Sequence, residues 1–209
     1  MNTSSAIRQF RETLESEATA YGVTLPSADL ERLSRYYELL NAWNSSVHLV
    51  APCSPREFAT RHILESLIVL KYLTKDASVA EVGAGAGLPI LPCLIVRPDI
   101  RAVLIETSQK KAVFLREALA STATSKQASV IAVRFENIAA PAVGFVTCRA
   151  LERFEQMLPQ LLEWAPANAT LLLFGGKRLS QRIENLGFAS EVELMPHSTE
   201  RFLFVVKKH

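Results

Sequence analysis

Several features are missing from this 209-residue chain, and their absence narrows what the protein can be. No uninterrupted apolar run reaches the roughly 18 to 20 residues that a membrane-spanning helix needs, so we expect no membrane as a partner. The N-terminal residues are polar and charged and lack the apolar core of a signal peptide, which argues against secretion. No internal repeat or low-complexity segment is present.

Cysteine and excess charge are also scarce. Cys53, Cys93 and Cys148 cannot all pair within the chain, and their spacing is not that of a metal site. We therefore expect no metal and a reducing compartment, the cytoplasm. The net charge of +2 at pH 7 is too small to indicate nucleic-acid binding by itself, although a local basic patch is compatible with it. Nothing in the sequence marks a subunit interface, so we expect a monomer.

The residues that are present predict a folded domain with a small appendage. With 49% hydrophobic residues, 209 residues can bury a substantial core in one domain. Apolar side chains at helical spacing predict three helices, at residues 4–20, 28–43 and 56–73. From residue 77 the pattern changes to alternating strands and helices. We therefore divide the chain into a helical extension, 1–75, and an α/β domain, 76–209.

The second part of the chain alternates short apolar runs with helical segments. Strands are predicted at 77–82, 101–105, 129–133, 144–147, 170–174, 191–194 and 201–206, and helices at 88–96, 108–121, 151–164 and 178–186. This alternation predicts a mostly parallel seven-stranded sheet with helices on both faces. The last two strands follow each other without a helix, which predicts an antiparallel hairpin at the edge of the sheet.

A glycine-rich turn lies between the first predicted strand and its helix. Gly83, Gly85 and Gly87 occupy alternate positions, and glycine allows positive φ and close approach of a ligand to the backbone. We therefore predict a loop that contacts a nucleoside cofactor. The dinucleotide pattern G-x-G-x-x-G is not matched, because Leu88 occupies its last position. Together with Glu81, the glycines resemble the first motif of class I methyltransferases, which bind S-adenosylmethionine.

Two acidic residues accompany this loop. Glu106 ends the second predicted strand, where a carboxylate can accept hydrogen bonds from both ribose hydroxyls of a bound nucleoside. The alternative is a solvated carboxylate at a strand end. Glu81 has two open interpretations, a contact with the amine of the cofactor's methionine portion or a brace behind the glycine loop.

Further segments extend the resemblance to one family. They are YELLNAWN at 37–44, RHILES at 61–66, GLP at 87–89, KK at 110–111 with VFLR at 113–116, and CRA at 148–150. In this order and spacing they are similar to the bacterial 16S rRNA guanine-N7 methyltransferases, also called glucose-inhibited division protein B. The similarity covers essentially the whole chain. It implies a class I, Rossmann-like methyltransferase domain with an N-terminal helical extension. It also implies methyl transfer from S-adenosylmethionine to N7 of one guanine near the decoding centre of the small ribosomal subunit.

Carried over by position, the family's cofactor contacts fall on Gly83, Leu88, Phe135, Glu136 and Arg149. Phe135 would lie near the adenine; the alternative is that Phe135 belongs only to the core and Glu136 only to the surface. Arg149 has forked donors that suit either the cofactor's carboxylate or an RNA phosphate. It could instead pair with an acid such as Glu81 or Glu152.

Basic side chains are the candidates for binding RNA. They are Arg61, His62, Lys110, Lys111, Lys177, Arg178 and Arg201. Lys110 and Lys111 could equally form a solvated helix face, and His62 could pack instead of binding. Guanine N7 has a lone pair in neutral guanosine, so no proton must be removed before attack. We therefore assign no catalytic residue and expect Arg61, His62 and Arg149 to position the reacting groups.

Cys148 provides a rival interpretation. It lies near a strand end, as does the nucleophilic cysteine of cytosine-C5 methyltransferases. Cys53 and Cys93 follow prolines but lie outside the usual strand-end position. The alternative for Cys148 is a buried, inert thiol.

The chain also departs from the family pattern. Val50, Ala84 and Ile90 stand where the family tends to have threonine, threonine and glycine, and Gly175 stands where it tends to have lysine, with Lys177 displaced. These departures keep two alternatives open. The chain could be a non-catalytic relative that binds S-adenosylmethionine or RNA, or a class I methyltransferase with another substrate.

Overall fold

The computed structural model describes residues 3–149 and 154–208. The helices are α1 (Thr3–Glu17), α2 (Ser27–Val47), α3 (Pro55–Glu57), α4 (Glu65–Leu67), α5 (Ile90–Val96), α6 (Gln109–Ser121), α7 (Phe154–Trp164) and α8 (Lys177–Asn185). The strands are β1 (Ser78–Val82), β2 (Arg101–Ile105), β3 (Ala128–Ile131), β4 (Phe145–Arg149), β5 (Thr170–Gly175), β6 (Ser190–Leu194) and β7 (Phe202–Lys207). In this part of the chain no helix is both long and apolar enough to cross a bilayer.

The third predicted helix is present but changes its winding. Its α-helical start, with Ser54 as N-cap and Pro55 in the first turn, continues into a π-helix at Phe58–Leu64. There the amide of Glu65 donates to the carbonyl of Thr60, five residues earlier. The helix then returns to α4 and ends in a 3₁₀ turn, Ile68–Lys71. Apolar spacing predicts the helix but carries no signal for the wider turn.

The seven strands form one sheet in the order β3-β2-β1-β4-β5-β7-β6. β1 to β5 pair in parallel, and β7 runs antiparallel between β5 and β6. The predicted parallel sheet and its antiparallel edge hairpin are therefore confirmed. After β1 the chain builds β2 and β3 on one side and then crosses to β4 on the other. Ligands of open α/β sheets bind at such a switch point, outside the carboxyl ends of the strands.

Helices cover both faces of the sheet. On one face, the N-terminal helices share a core with α5 and α6, as Phe10, Phe58, Leu91 and Phe114 illustrate. On the other face, α7 and α8 pack against β1, β4 and β5. The helical extension thus buries its apolar side chains against the sheet's own helices. The division between 1–75 and 76–209 stays a prediction.

Several boundaries differ from the predicted ones. The helix expected from residue 88 begins at Ile90, because the glycine loop continues through Pro89. β4 extends to Arg149, two residues beyond the predicted strand, and β3 ends at Ile131 instead of Val133. The helix predicted at 151–164 is described from Phe154, and its first predicted residues lie outside the described part of the chain.

Candidate functional site

A cavity of about 670 Å³ lies at the switch point of the sheet. Its wall contains Gly83, Gly85 and Leu88 of the glycine loop, together with Glu106 from the end of β2. Gly83 and Gly85 have φ values of +71° and +52°, a region of backbone conformation that residues with a Cβ atom rarely adopt. The predicted loop therefore presents main chain to a cavity of the size that small-molecule sites have.

Gly87 has a different role from its two neighbours. It has a φ of +83° and does not belong to the cavity wall. A Cβ there would lie 3.0 Å from Cβ of Leu91 and 3.2 Å from Cδ2 of Leu115. Gly87 therefore allows α5 and α6 to pack closely against the loop, and its contact with the cofactor stays a prediction.

Glu106 is turned toward the glycine loop. Its Oε2 accepts a hydrogen bond of 2.8 Å from the amide of Gly85, and its Oε1 accepts one of 2.8 Å from the amide of Ser108. The amides of Gly83 and Ala84 donate to the carbonyl of Ile105 at 2.9 and 3.0 Å. Oε1 also accepts from the hydroxyl of Thr107 at 3.4 Å, whereas Oε2 has a further lone pair, so Glu106 can still accept from a hydroxyl group in the cavity.

Glu81 is buried beside the loop and does not belong to the cavity wall. Neither of its carboxylate oxygens has a hydrogen-bond partner among the described residues, and the same holds for the hydroxyl of Thr147. The two residues are register partners on β1 and β4, so their side chains are neighbours on one face of the sheet. Burial raises the pKa of Glu81 well above its ordinary range, and two weaker effects oppose it: the nearby Ile90 amide, which does not reach hydrogen-bond geometry, and the charge of Arg149.

Arg149 belongs to the cavity wall and is held by the third N-terminal helix. Its guanidinium donates to the carbonyl of Arg61 at 2.6 Å, to Oγ of Ser66 at 3.4 Å and to Oε2 of Glu65 at 3.3 Å. Its Cζ also lies 5.1 Å from the ring centroid of Phe174. Glu65 is thus the partner acid among the described residues, where the sequence suggested Glu81; Glu152 lies outside them.

His62 and Phe135 also lie on the cavity wall. Burial, and then the charges of Arg149 and Arg61, lower the pKa of His62 to about 4, so its ring is neutral at pH 7. Phe135 is 4% exposed and packs edge-on against Trp164, with the ring centroids 5.5 Å apart. Phe135 thus lies partly in the core and partly on the cavity wall, with Glu136 beside it, and its contact with an adenine stays a prediction.

The candidate RNA contacts fall into separate groups. Lys111 joins His62 on the main cavity, whereas Lys110, Lys177 and Arg178 are exposed and lie outside its wall. Arg61 and Arg201 line a second cavity, of about 430 Å³. Both are engaged in ion pairs, Arg61 with Glu57 and Arg201 with Glu65. The structure thus brings only part of the predicted basic set to one place.

Other residues at the site were not predicted from the sequence. The segment 49–51 lies on the cavity wall and is held by Asn44, whose Oδ1 accepts from the amides of Leu49 and Val50 at 2.7 and 3.0 Å. Tyr36 donates a hydrogen bond of 2.6 Å to the carbonyl of Ala86 in the glycine loop. Asn44 lies in the segment 37–44 that carries the family resemblance, which is the one signal that pointed to it.

Among the described residues, no group of three or more His, Cys, Asp or Glu side chains could hold a metal ion. The rival interpretation of Cys148 as a nucleophile also finds no support at the site. Cys148 is fully buried in the core beneath α7 and α8 and does not belong to the cavity wall. A nucleophilic thiolate at this position would have no access to a substrate.

Comparisons with known proteins point in one direction. Residues 29–205 match the family model described as rRNA small subunit methyltransferase G. A protein of Sorangium cellulosum with the name Ribosomal RNA small subunit methyltransferase G is 34% identical over 179 residues, which cover 82% of this chain and 74% of that protein. One of Azoarcus sp. with the same name is 39% identical over 114 residues, 54% of each chain.

Solved structures share the fold. An O-methyltransferase from Bacillus cereus in complex with SAH has a TM-score of 0.57 and 16% identity, covering 84% of this chain and 91% of that one. A SAM-dependent methyltransferase from Aquifex aeolicus has a TM-score of 0.55 and 17% identity, covering 69% and 89%. At these identities the likeness concerns the fold alone, and it confirms the predicted class I methyltransferase architecture.

Proposed function

The chain belongs to the rRNA small subunit methyltransferase G family, and from this membership we propose that it transfers a methyl group from S-adenosylmethionine to 16S rRNA. One observation carries the proposal. The bare main chain of Gly83 and Gly85 and the carboxylate of Glu106 face the same cavity, linked by a hydrogen bond of 2.8 Å. A nucleoside lying against the loop would meet a hydrogen-bond acceptor at its ribose.

The residues of the cavity fit the proposed cofactor. Gly83, Gly85 and Leu88 would contact its methionine and ribose portions, Glu106 its ribose hydroxyls, and Phe135 with Glu136 its adenine. Both roles predicted for Glu81 stay open, because its carboxyl is buried behind the loop and outside the cavity wall, and its oxygens have no hydrogen-bond partner among the described residues. A cation arriving beside this carboxyl would favour its ionised form and offset the effect of burial on its pKa.

The proposed chemistry requires positioning more than proton transfer. S-adenosylmethionine supplies a methyl group that is already activated by a positive sulfur. Guanine N7 has its own lone pair, so the residues of the chain need only hold the base at about 3 to 3.5 Å from that methyl group. His62 is neutral at pH 7 and can give or accept a hydrogen bond, and Lys111 and Arg149 provide positive charge on the wall.

The finer features of the substrate belong to the same proposal. The methylated atom is N7 of a guanine near the decoding centre of the small ribosomal subunit. The exposed side chains of Lys110, Lys177 and Arg178 would add salt-dependent contacts to phosphates. Arg61 and Arg201 would contribute only if RNA displaced their present acidic partners. We propose a monomer that acts in the cytoplasm, where ribosomal subunits are found.

A single-turnover assay tests the proposal directly. Labelled S-adenosylmethionine is incubated with the protein and with small subunits that lack the modification, or with naked 16S rRNA. We expect label at guanine N7. Binding of the cofactor without any transfer would support the non-catalytic alternative, and label at another atom or on another molecule would support a different substrate. Calorimetry that detects no binding of S-adenosylmethionine would refute the proposed methyltransferase activity.

A further inference from the structure

Glu65 is one of the most buried charged side chains in the described part of the protein. It is 1% exposed and accepts hydrogen bonds from two arginines. Nε and Nη2 of Arg201 lie 2.9 and 2.8 Å from its Oε1, and Nη2 of Arg149 lies 3.3 Å from its Oε2. A carboxylate buried to this extent is stable only when it is paired with positive charge. Glu65 therefore ties together α4, the end of β4 and the residue that precedes β7.

Arg149 is fixed from several directions at once. Besides Glu65, its donors reach the carbonyl of Arg61 and the hydroxyl of Ser66, and its side chain is 15% exposed. The π-helical turn places the carbonyl of Arg61 and the carboxylate of Glu65 where both contact this one guanidinium. The guanidinium has little freedom to choose another orientation at the cavity wall.

The cluster of Glu65, Arg149 and Arg201 has more positive than negative charge, which its contribution to stability does not require. Two arginines share one glutamate, so one positive charge is left without a partner within the cluster. Arg149 carries this surplus to the wall of the main cavity, whereas Arg201 belongs to the second cavity. If stability were the only requirement, one arginine would be enough to neutralise Glu65.

We propose that Glu65 is a positioning residue, which holds the guanidinium of Arg149 in the cavity wall so that it receives an anionic group of a bound molecule. This inference rests on the proposed function. The anion is either the carboxylate of the cofactor's methionine portion or a phosphate of the RNA, since both suit a guanidinium. Glu65 itself touches neither molecule.

The test compares the full-length wild-type protein with Glu65→Gln, which keeps the shape of the side chain and removes its charge. Calorimetry measures the affinity for S-adenosylhomocysteine, which has the carboxylate, and for 5′-methylthioadenosine, which lacks the amino acid portion with its α-carboxylate and α-amine. If the anion is the carboxylate, Glu65→Gln lowers the affinity for S-adenosylhomocysteine about tenfold and leaves the affinity for 5′-methylthioadenosine unchanged. If the anion is a phosphate, both nucleosides bind as before, and the KM for 16S rRNA rises about tenfold while kcat is maintained.

Glu193→Gln is the matched control. Glu193 also joins the N-terminal helical segment to the C-terminal hairpin, through Lys71 and the hydroxyl of Tyr72, but it lies outside both cavities. We expect unchanged affinities and KM for this variant. Should Glu65→Gln fail to fold, Glu65→Gln combined with Arg201→Gln removes one charge of each sign, and it is compared with Arg201→Gln alone because Arg201 is itself a candidate RNA contact.

A double-mutant cycle separates positioning from general stabilisation. In an Arg149→Ala background, adding Glu65→Gln should have no further effect on the affected affinity or KM, because Glu65 acts through Arg149. The inference is overturned if Glu65→Gln leaves the affinities for both nucleosides and the KM for RNA unchanged, or if it lowers the affinities for both nucleosides equally. Failure of the wild-type protein to bind S-adenosylhomocysteine would instead overturn the proposed function.

Discussion

Two walls of the main cavity are built in opposite ways. The loop wall, Gly83 to Leu88 with Glu106, comes from one β-α-β unit and presents mostly main chain. The arginine wall, His62 and Arg149 supported by Glu65 and Arg201, comes from three distant parts of the sequence and presents only side chains. A wall made of backbone needs glycine and is visible in the sequence. A wall made of side chains depends on partners that only the fold brings together.

The two walls also differ in charge. The loop wall contains the carboxylate of Glu106, with Glu81 behind it, and accepts hydrogen bonds. The arginine wall carries a surplus positive charge and donates hydrogen bonds. A zwitterionic nucleoside could satisfy both at once, with its hydroxyls and amine toward the first wall and its carboxylate toward the second. Complementary walls of this kind fix the orientation of a ligand as well as its affinity.

Blocking the loop wall should have the largest effect. Gly83→Arg places a long side chain in the cavity at a residue whose φ is +71°, so we expect the affinity for S-adenosylmethionine to fall by more than about a hundredfold, measured by calorimetry. Gly187→Arg is the control, because Gly187 has a φ of +80° and open space around it, away from the cavity. Equal binding by both variants would mean that the loop does not hold the cofactor.

The contrast between the walls explains what the sequence could predict. Strand and helix periodicity predicted the sheet and its edge hairpin, and the glycine spacing together with Glu106 predicted the loop wall. Arg149 was found only through the family resemblance. Glu65 lay within the quoted segment 61–66 but gave no sign of its role, because a single glutamate in a helix is normally solvated. Its burial follows from the packing of the third N-terminal helix onto β4 and β7.

Thr147 and the π-helix were missed for related reasons. The hydroxyl of Thr147 is notable only because its register partner is Glu81 and neither has a hydrogen bond, which depends on strand pairing across 66 residues of sequence. The π-helical turn at Phe58–Leu64 changes the hydrogen-bond register without changing which residues are apolar. Local periodicity cannot report either feature.

Removing the charge of Glu106 should have a smaller effect than filling the loop. In Glu106→Gln, one of the two amides that now donate to the carboxylate, those of Gly85 and Ser108, would face an NH₂ group instead of an acceptor. We expect the affinity for S-adenosylmethionine to fall about tenfold to a hundredfold, since hydrogen bonds to charged groups contribute about 1.5 to 3 kcal/mol. Glu117→Gln, on the exposed side of α6, is the control. If the two variants bind alike, Glu106 is only a solvated strand end.

Lowering the pH should reduce the free energy of unfolding of the protein through His62, a residue of the arginine wall. The pKa of His62 is about 4 in the folded protein and about 6.5 when the chain is unfolded, so the unfolded state takes up the proton first as the pH falls. The stability that the neutral His62 contributes at pH 7 is therefore lost progressively between about pH 6.5 and pH 4. At pH 5 the loss from this one group is roughly 2 kcal/mol.

Urea unfolding at pH 7 and pH 5 measures this effect. Other groups titrate as well, so the comparison is between the wild-type protein and His62→Gln, whose difference isolates His62. We expect the variant to lose roughly 2 kcal/mol less than the wild type over this interval. An unchanged pH dependence in His62→Gln would show that the ring is not kept neutral by its surroundings.

The smallest effect on activity is expected behind both walls, at Cys148. If positioning by the two walls is sufficient for methyl transfer, Cys148→Ala should keep kcat within about twofold and lose about 1 kcal/mol of stability as a packing defect. Cys93→Ala is a matched control, because Cys93 is also 0% exposed and lies in the opposite core. Thermal unfolding and single-turnover kinetics on the same preparations separate the two effects. Loss of kcat by orders of magnitude in Cys148→Ala alone would show that the chemistry uses a covalent thiol, for which neither wall provides a place.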